Sequence, residues 1–146
     1  MSFLIDTNVV SELTKVPPHE GAVRWLKSVP ASQAWISVAV IAEIRTGIEH
    51  RAVNRHGVDL EAWLVKSLLP QFEGRILDVD EQTAHHWGRF THRLKVSGVK
   101  EPLMDALIAA TAMVHGLVVV TRNVKHFEPL GVRVFDPYAD EDDAPS

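Results

Sequence analysis

Residues Pro102 to Asn123 read PLMDALIAATAMVHGLVVVTRN, and this stretch decides the fold. Pro102 suits the first turn of a helix and Gly116 the residue that ends one, so the spacing predicts a helix to about His115. Leu117 to Val120 is then wholly apolar and mostly β-branched, the pattern of a central strand in a parallel sheet. A helix that delivers the chain into such a strand belongs to an α/β architecture.

The alternation continues outward from there. Upstream, Phe3-Leu4-Ile5 is a buried strand that ends at Asp6-Thr7-Asn8, where Asp and Thr are good helix caps. A short helix over Val9 to Lys15 is stopped by Pro17-Pro18, and a second helix runs from His19 to Val29. Ala34-Trp35-Ile36 is the next strand. Ser37 caps a helix from Val38 to about His50, with Val40, Ile41, Ile44 and Ile48 on one face. Asp59 to Leu69 gives another helix, Arg75 to Val79 a third strand, and Asp80 caps a helix through Trp87, Phe90 and Leu94. Downstream, Val132 to Phe135 closes the series as a last strand. Strand and helix repeated in this order predict a three-layer α/β/α domain around a mostly parallel sheet.

The chain has 146 residues, 46% of them apolar and 23% charged, the balance of one globular domain. Residues 1–137 are read as that domain, and residues 138–146 as an acidic, disordered tail. Cysteine is absent, which excludes disulfides, thiolate metal sites and a Cys nucleophile. No apolar run approaches the ~20 residues of a membrane span, and the N-terminus lacks a basic segment before an apolar one. The expected compartment is the cytoplasm. Net charge is −4, yet five of the nineteen acids (Asp136, Asp140, Glu141, Asp142 and Asp143) lie in the last eleven residues. Without them, fourteen acids face fifteen Lys and Arg. Two basic concentrations, one around Arg45, Arg51 and Arg55 and one around Arg89, Arg93, Lys95 and Lys100, read as solvated helix faces. The four Trp fall mostly on apolar faces, which points to core packing and not to base stacking.

Ligands of open α/β sheets bind at the carboxyl ends of the strands. Asp6 follows the first strand directly. Glu43 lies in the second turn of the helix that leaves the second strand. Asp105 lies in the first turn of the helix that runs back to start the Leu117 strand, and Asn123 comes just after that strand. Topology alone brings these four residues to one edge. Each has an ordinary explanation by itself: a cap for Asp6, a salt bridge to Arg45 or Arg122 for Glu43, a first-turn acid for Asp105. Those explanations account for separate placements but not for the convergence. A carboxylate inside an apolar segment, as with Glu43 in Val40–Ile44 and Asp105 in Leu103–Ile108, is costly unless paired or metal-bound. Oxygen donors without His or Cys suit a hard cation such as Mg²⁺ or Mn²⁺. Such an ion keeps waters and open positions, so the expected chemistry is hydrolysis of a phosphodiester.

At these residues the sequence resembles the PIN-domain family, specifically the VapC-type (FitB-like) toxins of toxin–antitoxin pairs. The resemblance is carried by Leu4–Leu13, by Ser37-Val38 with Ala42–Ile48, by Met104–Ala112, and by Val119–Asn123 with Phe127. It spans about Phe3 to Pro137. It implies a five-stranded parallel sheet, a Mg²⁺- or Mn²⁺-dependent ribonuclease, a homodimer and a small VapB-like antitoxin through which promoter DNA is reached only indirectly. Asp6, Glu43 and Asp105 match the three family acids and metal ligands, and Asn123 a fourth position that is often Asp. Thr121 matches a hydroxyl residue placed near the metal or its water, and His126, at a position often acidic, reads as a surface histidine. Two other readings compete: a catalytically weak PIN-fold module for binding or regulation, and a nuclease directed at DNA. The intact acid triad speaks against the first, and the small size, without a duplex-binding insertion, against the second.

Overall fold

The computed structural model describes residues 1–139. The tail expected from residue 138 onward falls, from Asp140, outside the described residues. Five parallel strands stand in the order β3-β2-β1-β4-β5: β1 (Phe3–Ile5), β2 (Ala34–Ser37), β3 (Ile76–Leu77), β4 (Val118–Val120) and β5 (Val134–Phe135). Phe3 to Ile5 pair in register with Val118 to Val120, so the two apolar runs form the centre of the sheet.

Side-chain alternation along these strands divides the core in two. Leu4 and Val119 face one layer, with α6 (Glu81–Val96), α7 (Leu103–His115) and α8 (Val124–Phe127). Ile5, Ile36 and Val120 face the other, with α1 (Thr7–Val10), α3 (Val38–His50) and the helical stretch after Asp59. Between α1 and α3 come a 3-10 turn (Ser11–Thr14) and α2 (Glu20–Ser28), whose buried residue is Ala22. All four Trp are partly buried against these two clusters. The expected caps form: Ser37 accepts from the Ala39 N–H at 3.0 Å, Asp80 from the Thr83 N–H at 2.7 Å. Gly116 ends α7 with φ +67°, a left-handed conformation that suits glycine.

One expected helix differs in form. The stretch from Asp59 is α4 (Leu60–Trp63), a π turn at Leu64–Leu68, and then α5 (Leu69–Gln71). The widened turn lies just before Pro70, which has no N–H to give to the preceding turn.

Leu94 on α6 is 1% exposed and packs into the cluster that α7 fills with Ala106 to Ala110. Leu94→Ala is expected to cost about 2–5 kcal/mol, read as a lower midpoint in urea denaturation with the same slope. A loss below 0.5 kcal/mol would mean that this layer does not hold the fold.

Candidate active site

The parallel ladder sets the first residue of the site. The Asp6 N–H donates to the Val120 carbonyl at 2.9 Å, extending the β1–β4 register by one residue beyond the strands. Asp6 is thereby laid beside Thr121, and both are buried. Asp6 then caps α1, its Oδ1 accepting the Thr7 N–H at 2.7 Å. The cap occupies only one oxygen. Its Oδ2 accepts the Thr121 hydroxyl at 2.7 Å and, more weakly, Asn8 Nδ2 at 3.4 Å.

Thr121 has one proton to give. Its Oγ1 also accepts the Asn123 N–H at 3.0 Å and Asn8 Nδ2 at 3.4 Å, so both acceptor sites are used and the proton goes to Asp6. Glu43, on α3, accepts the Thr7 hydroxyl on Oε1 at 2.8 Å. Asp105, in the first turn of α7, has its Oδ2 at 2.5 Å from His126 Nδ1. His126 is therefore not a plain surface residue, as its sequence context implied: the short helix α8 turns it back onto the acid. Asn123 comes to the site through its backbone N–H on Thr121.

The three acids act on one another through their charges. Burial pushes Asp6 up to about 7; the Thr121 and Thr7 bonds oppose this, while the negative charges of Asp105 and Glu43 add to it. Burial also raises Glu43, against its Thr7 bond, and Asp105 raises it further. Neither has a basic partner among the described residues. Arg45 pairs with Glu61, and Arg122 lies over the Tyr138 ring, so neither basic partner considered for Glu43 reaches it.

The structure adds residues that the sequence reading left out. Thr7 and Asn8 follow Asp6 directly, and their position in Asp6-Thr7-Asn8 was a usable signal. Tyr138 was not readable in this way. Its hydroxyl donates to the Asn8 carbonyl at 2.8 Å across 130 residues of sequence. Burial, with Glu12 adding, pushes the phenol up to about 12, so it stays a donor at neutral pH.

The raised Asp6 has a measurable consequence. Its folded state holds a proton more tightly than the unfolded chain, whose Asp titrates near 4. Its contribution to stability is therefore greatest below pH 4 and falls as pH rises to about 7. In EDTA, the melting temperature of the protein minus that of Asp6→Asn is expected to decline between pH 4.5 and 7.5. A flat difference would place Asp6 in an environment no different from water.

The chain matches the family model for the PIN domain over residues 3–129. It is 36% identical over 137 residues to Toxin FitB of Neisseria gonorrhoeae, covering 94% of this chain and 99% of that protein. It is 30% identical to VapC ribonuclease Y4jK of Sinorhizobium fredii, over 92% of this chain and 96% of the relative. The crystal structure of FitAcB from Neisseria gonorrhoeae superposes with a TM-score of 0.81 at 36% identity, covering 93% of this chain and 98% of that one. The matched residues include β1, α3, α7 and β4, the elements that place Asp6, Glu43, Asp105 and Thr121, and the chain belongs to the PIN-domain family.

Proposed function

We propose that this protein is a metal-dependent endoribonuclease, the toxin of a toxin–antitoxin pair, which hydrolyses RNA phosphodiester bonds and is silenced by a cognate VapB-like antitoxin. The relatives named toxin and ribonuclease span nearly the whole chain, which supports the reading. The observation that carries it is the pair Asp6 and Glu43, drawn toward Asp105 with no basic partner among the described residues. Such an arrangement is unfavourable without a bound cation.

The donor chemistry fits Mg²⁺ or Mn²⁺: Asp6, Glu43 and Asp105 would hold it, all through hard oxygens. No three His, Asp or Glu side chains among the described residues enclose an ion by themselves. Mg²⁺ needs only one or two carboxylates directly and keeps several waters, so Asp6, Glu43 and Asp105 would not all have to touch it. When bound there, such an ion would supply an acidified water and offset charge on the phosphate. The chain's own residues do the rest. Thr121 fixes Oδ2 of Asp6, Thr7 fixes Oε1 of Glu43, and His126 orients Asp105. Each carboxylate thus keeps its direction at the moment of reaction.

We further propose that the protein acts as a homodimer in the cytoplasm; no described helix is long and apolar enough to cross a membrane. The test is direct. Purified protein with Mg²⁺ or Mn²⁺ should cut RNA internally, and excess EDTA should stop it. Undiminished cleavage in EDTA would refute the metal. Binding of RNA without cleavage under any divalent ion would favour the regulatory module, and cleavage confined to DNA the third reading.

A further inference from the structure

We infer that Arg122 binds a phosphate of the RNA backbone next to the cleaved bond, and that Tyr138 holds it ready for that task. The inference rests on the ribonuclease reading of the same edge. Arg122 directly follows Thr121, the partner of Asp6, and its N–H donates to Asn8 Oδ1 at 3.3 Å. Its guanidinium carbon lies 3.8 Å from the centre of the Tyr138 ring. Tyr138 in turn is fixed by its hydroxyl on the Asn8 carbonyl. Arg122, Asn8 and Tyr138 therefore close a ring of contacts around the residue that holds Asp6.

Stacking uses the flat face of a guanidinium and leaves the N–H groups in its plane free, the groups that match a phosphate bidentately. Arg122 is exposed and makes no ion pair among the described residues. Two other arginines differ from it: Arg45 pairs with Glu61, and Arg75 donates to the carbonyls of Ala31, Ala34 and Gln71. An exposed arginine ordinarily loses much rotamer freedom on binding, and a stacked one has already lost it.

The surroundings supply the path. Arg122 borders a cleft of about 390 Å³ with Asn123, Lys125, His126 and Asp136. His126 in this cleft touches Asp105, which links the cleft to the carboxylates through one side chain. His126 also lines a second cleft, which carries Lys100 beside Glu101. Arg122 and Lys125 thus offer cations in the cleft that His126 joins to Asp105. The one acid in the first cleft is partly engaged, because Asp136 Oδ1 accepts the Tyr138 N–H at 2.8 Å. A contact to a neighbouring phosphate is made equally in the ground and transition states, so it acts on KM and not on kcat.

The test is steady-state cleavage of a labelled single-stranded RNA by the full chain with Mg²⁺, from low to moderate salt. Arg122→Gln is expected to raise KM about ten-fold with kcat nearly unchanged. The slope of log kcat/KM against log salt should become shallower by about 0.7, one phosphate contact on a single strand. Arg122→Lys should restore the slope but only part of KM, because an ammonium cannot make the fork. Tyr138→Phe keeps the ring and should leave KM close to the wild type. Tyr138→Leu removes the ring and should raise KM, with no further rise when combined with Arg122→Gln. Should Arg122→Gln fail to fold, Arg122→Lys and the two Tyr138 variants decide the matter. If wild type cleaves but Arg122→Gln lowers only the melting temperature, with KM and slope unchanged, Arg122 merely fastens the chain end and the inference falls. If wild type leaves RNA intact with every divalent ion, the ribonuclease reading falls first and takes the inference with it.

Discussion

Asp6→Asn, Glu43→Gln and Asp105→Asn are each expected to lower RNA cleavage by about 10²–10³-fold, the loss seen when one charge-stabilising group is removed from a reaction centre. Amides keep the size of the side chain and remove its charge, so the loss reports electrostatics and not a cavity. Glu43→Gln gives the cleanest comparison. Its carbonyl can still accept the Thr7 hydroxyl, and the charge it removes has no basic partner among the described residues. Without metal, Glu43→Gln should therefore melt at the same temperature as wild type or higher, because burial and Asp105 both oppose the ionised Glu43. With saturating Mg²⁺ the order should reverse, since only wild type gains the full binding energy of the ion. Asp105→Asn is a less simple control, because the amide also changes the bond to His126. Full activity in Glu43→Gln would remove that residue from the centre. A large fall in metal-free melting temperature would instead make Glu43 a structural residue.

Much of this site could be located without coordinates, for a physical reason. A parallel sheet sends every strand out at the same edge, so any residue just after a strand, or at the start of a helix leading back, must stand there. That logic places Asp6, Glu43, Asp105 and Asn123. It depends on the positions of strands and helices, which hydrophobic period and caps reveal, and not on side-chain detail. What it cannot deliver are contacts set by the path of short connections. His126 reaches Asp105 because α8 is only four residues long and turns at once after β4, a matter of loop geometry. Tyr138 meets Asn8 because the chain beyond β5 runs back over α1, and no periodicity in residues 136–139 signals that. Nor does the helical pattern from Asp59 to Leu69 show a π turn, because the apolar spacing barely changes while the hydrogen bonding does.

The second large effect concerns the partner. Asp6, Glu43 and Asp105 can be neutralised by a divalent ion or by a cation on another protein, and the two neutralise the same charge. An antitoxin that silences the enzyme at this edge is expected to present an arginine, whose planar fork suits carboxylates, with an apolar segment along the neighbouring helices. Removing one member of such a desolvated pair costs about 2–5 kcal/mol of binding. Glu43→Gln should therefore weaken the complex by at least about 30-fold in Kd. Millimolar Mg²⁺ should weaken it too, through competition, and should do so less in Glu43→Gln, where the ion also binds less well. This linked pattern separates the site from any remote surface: a partner docked elsewhere would ignore both the substitution and the ion. Calorimetry across Mg²⁺ concentrations, with both proteins, reads the two effects together. An affinity indifferent to both would place the antitoxin on a dimer or allosteric surface, and the three acids would then serve the metal alone.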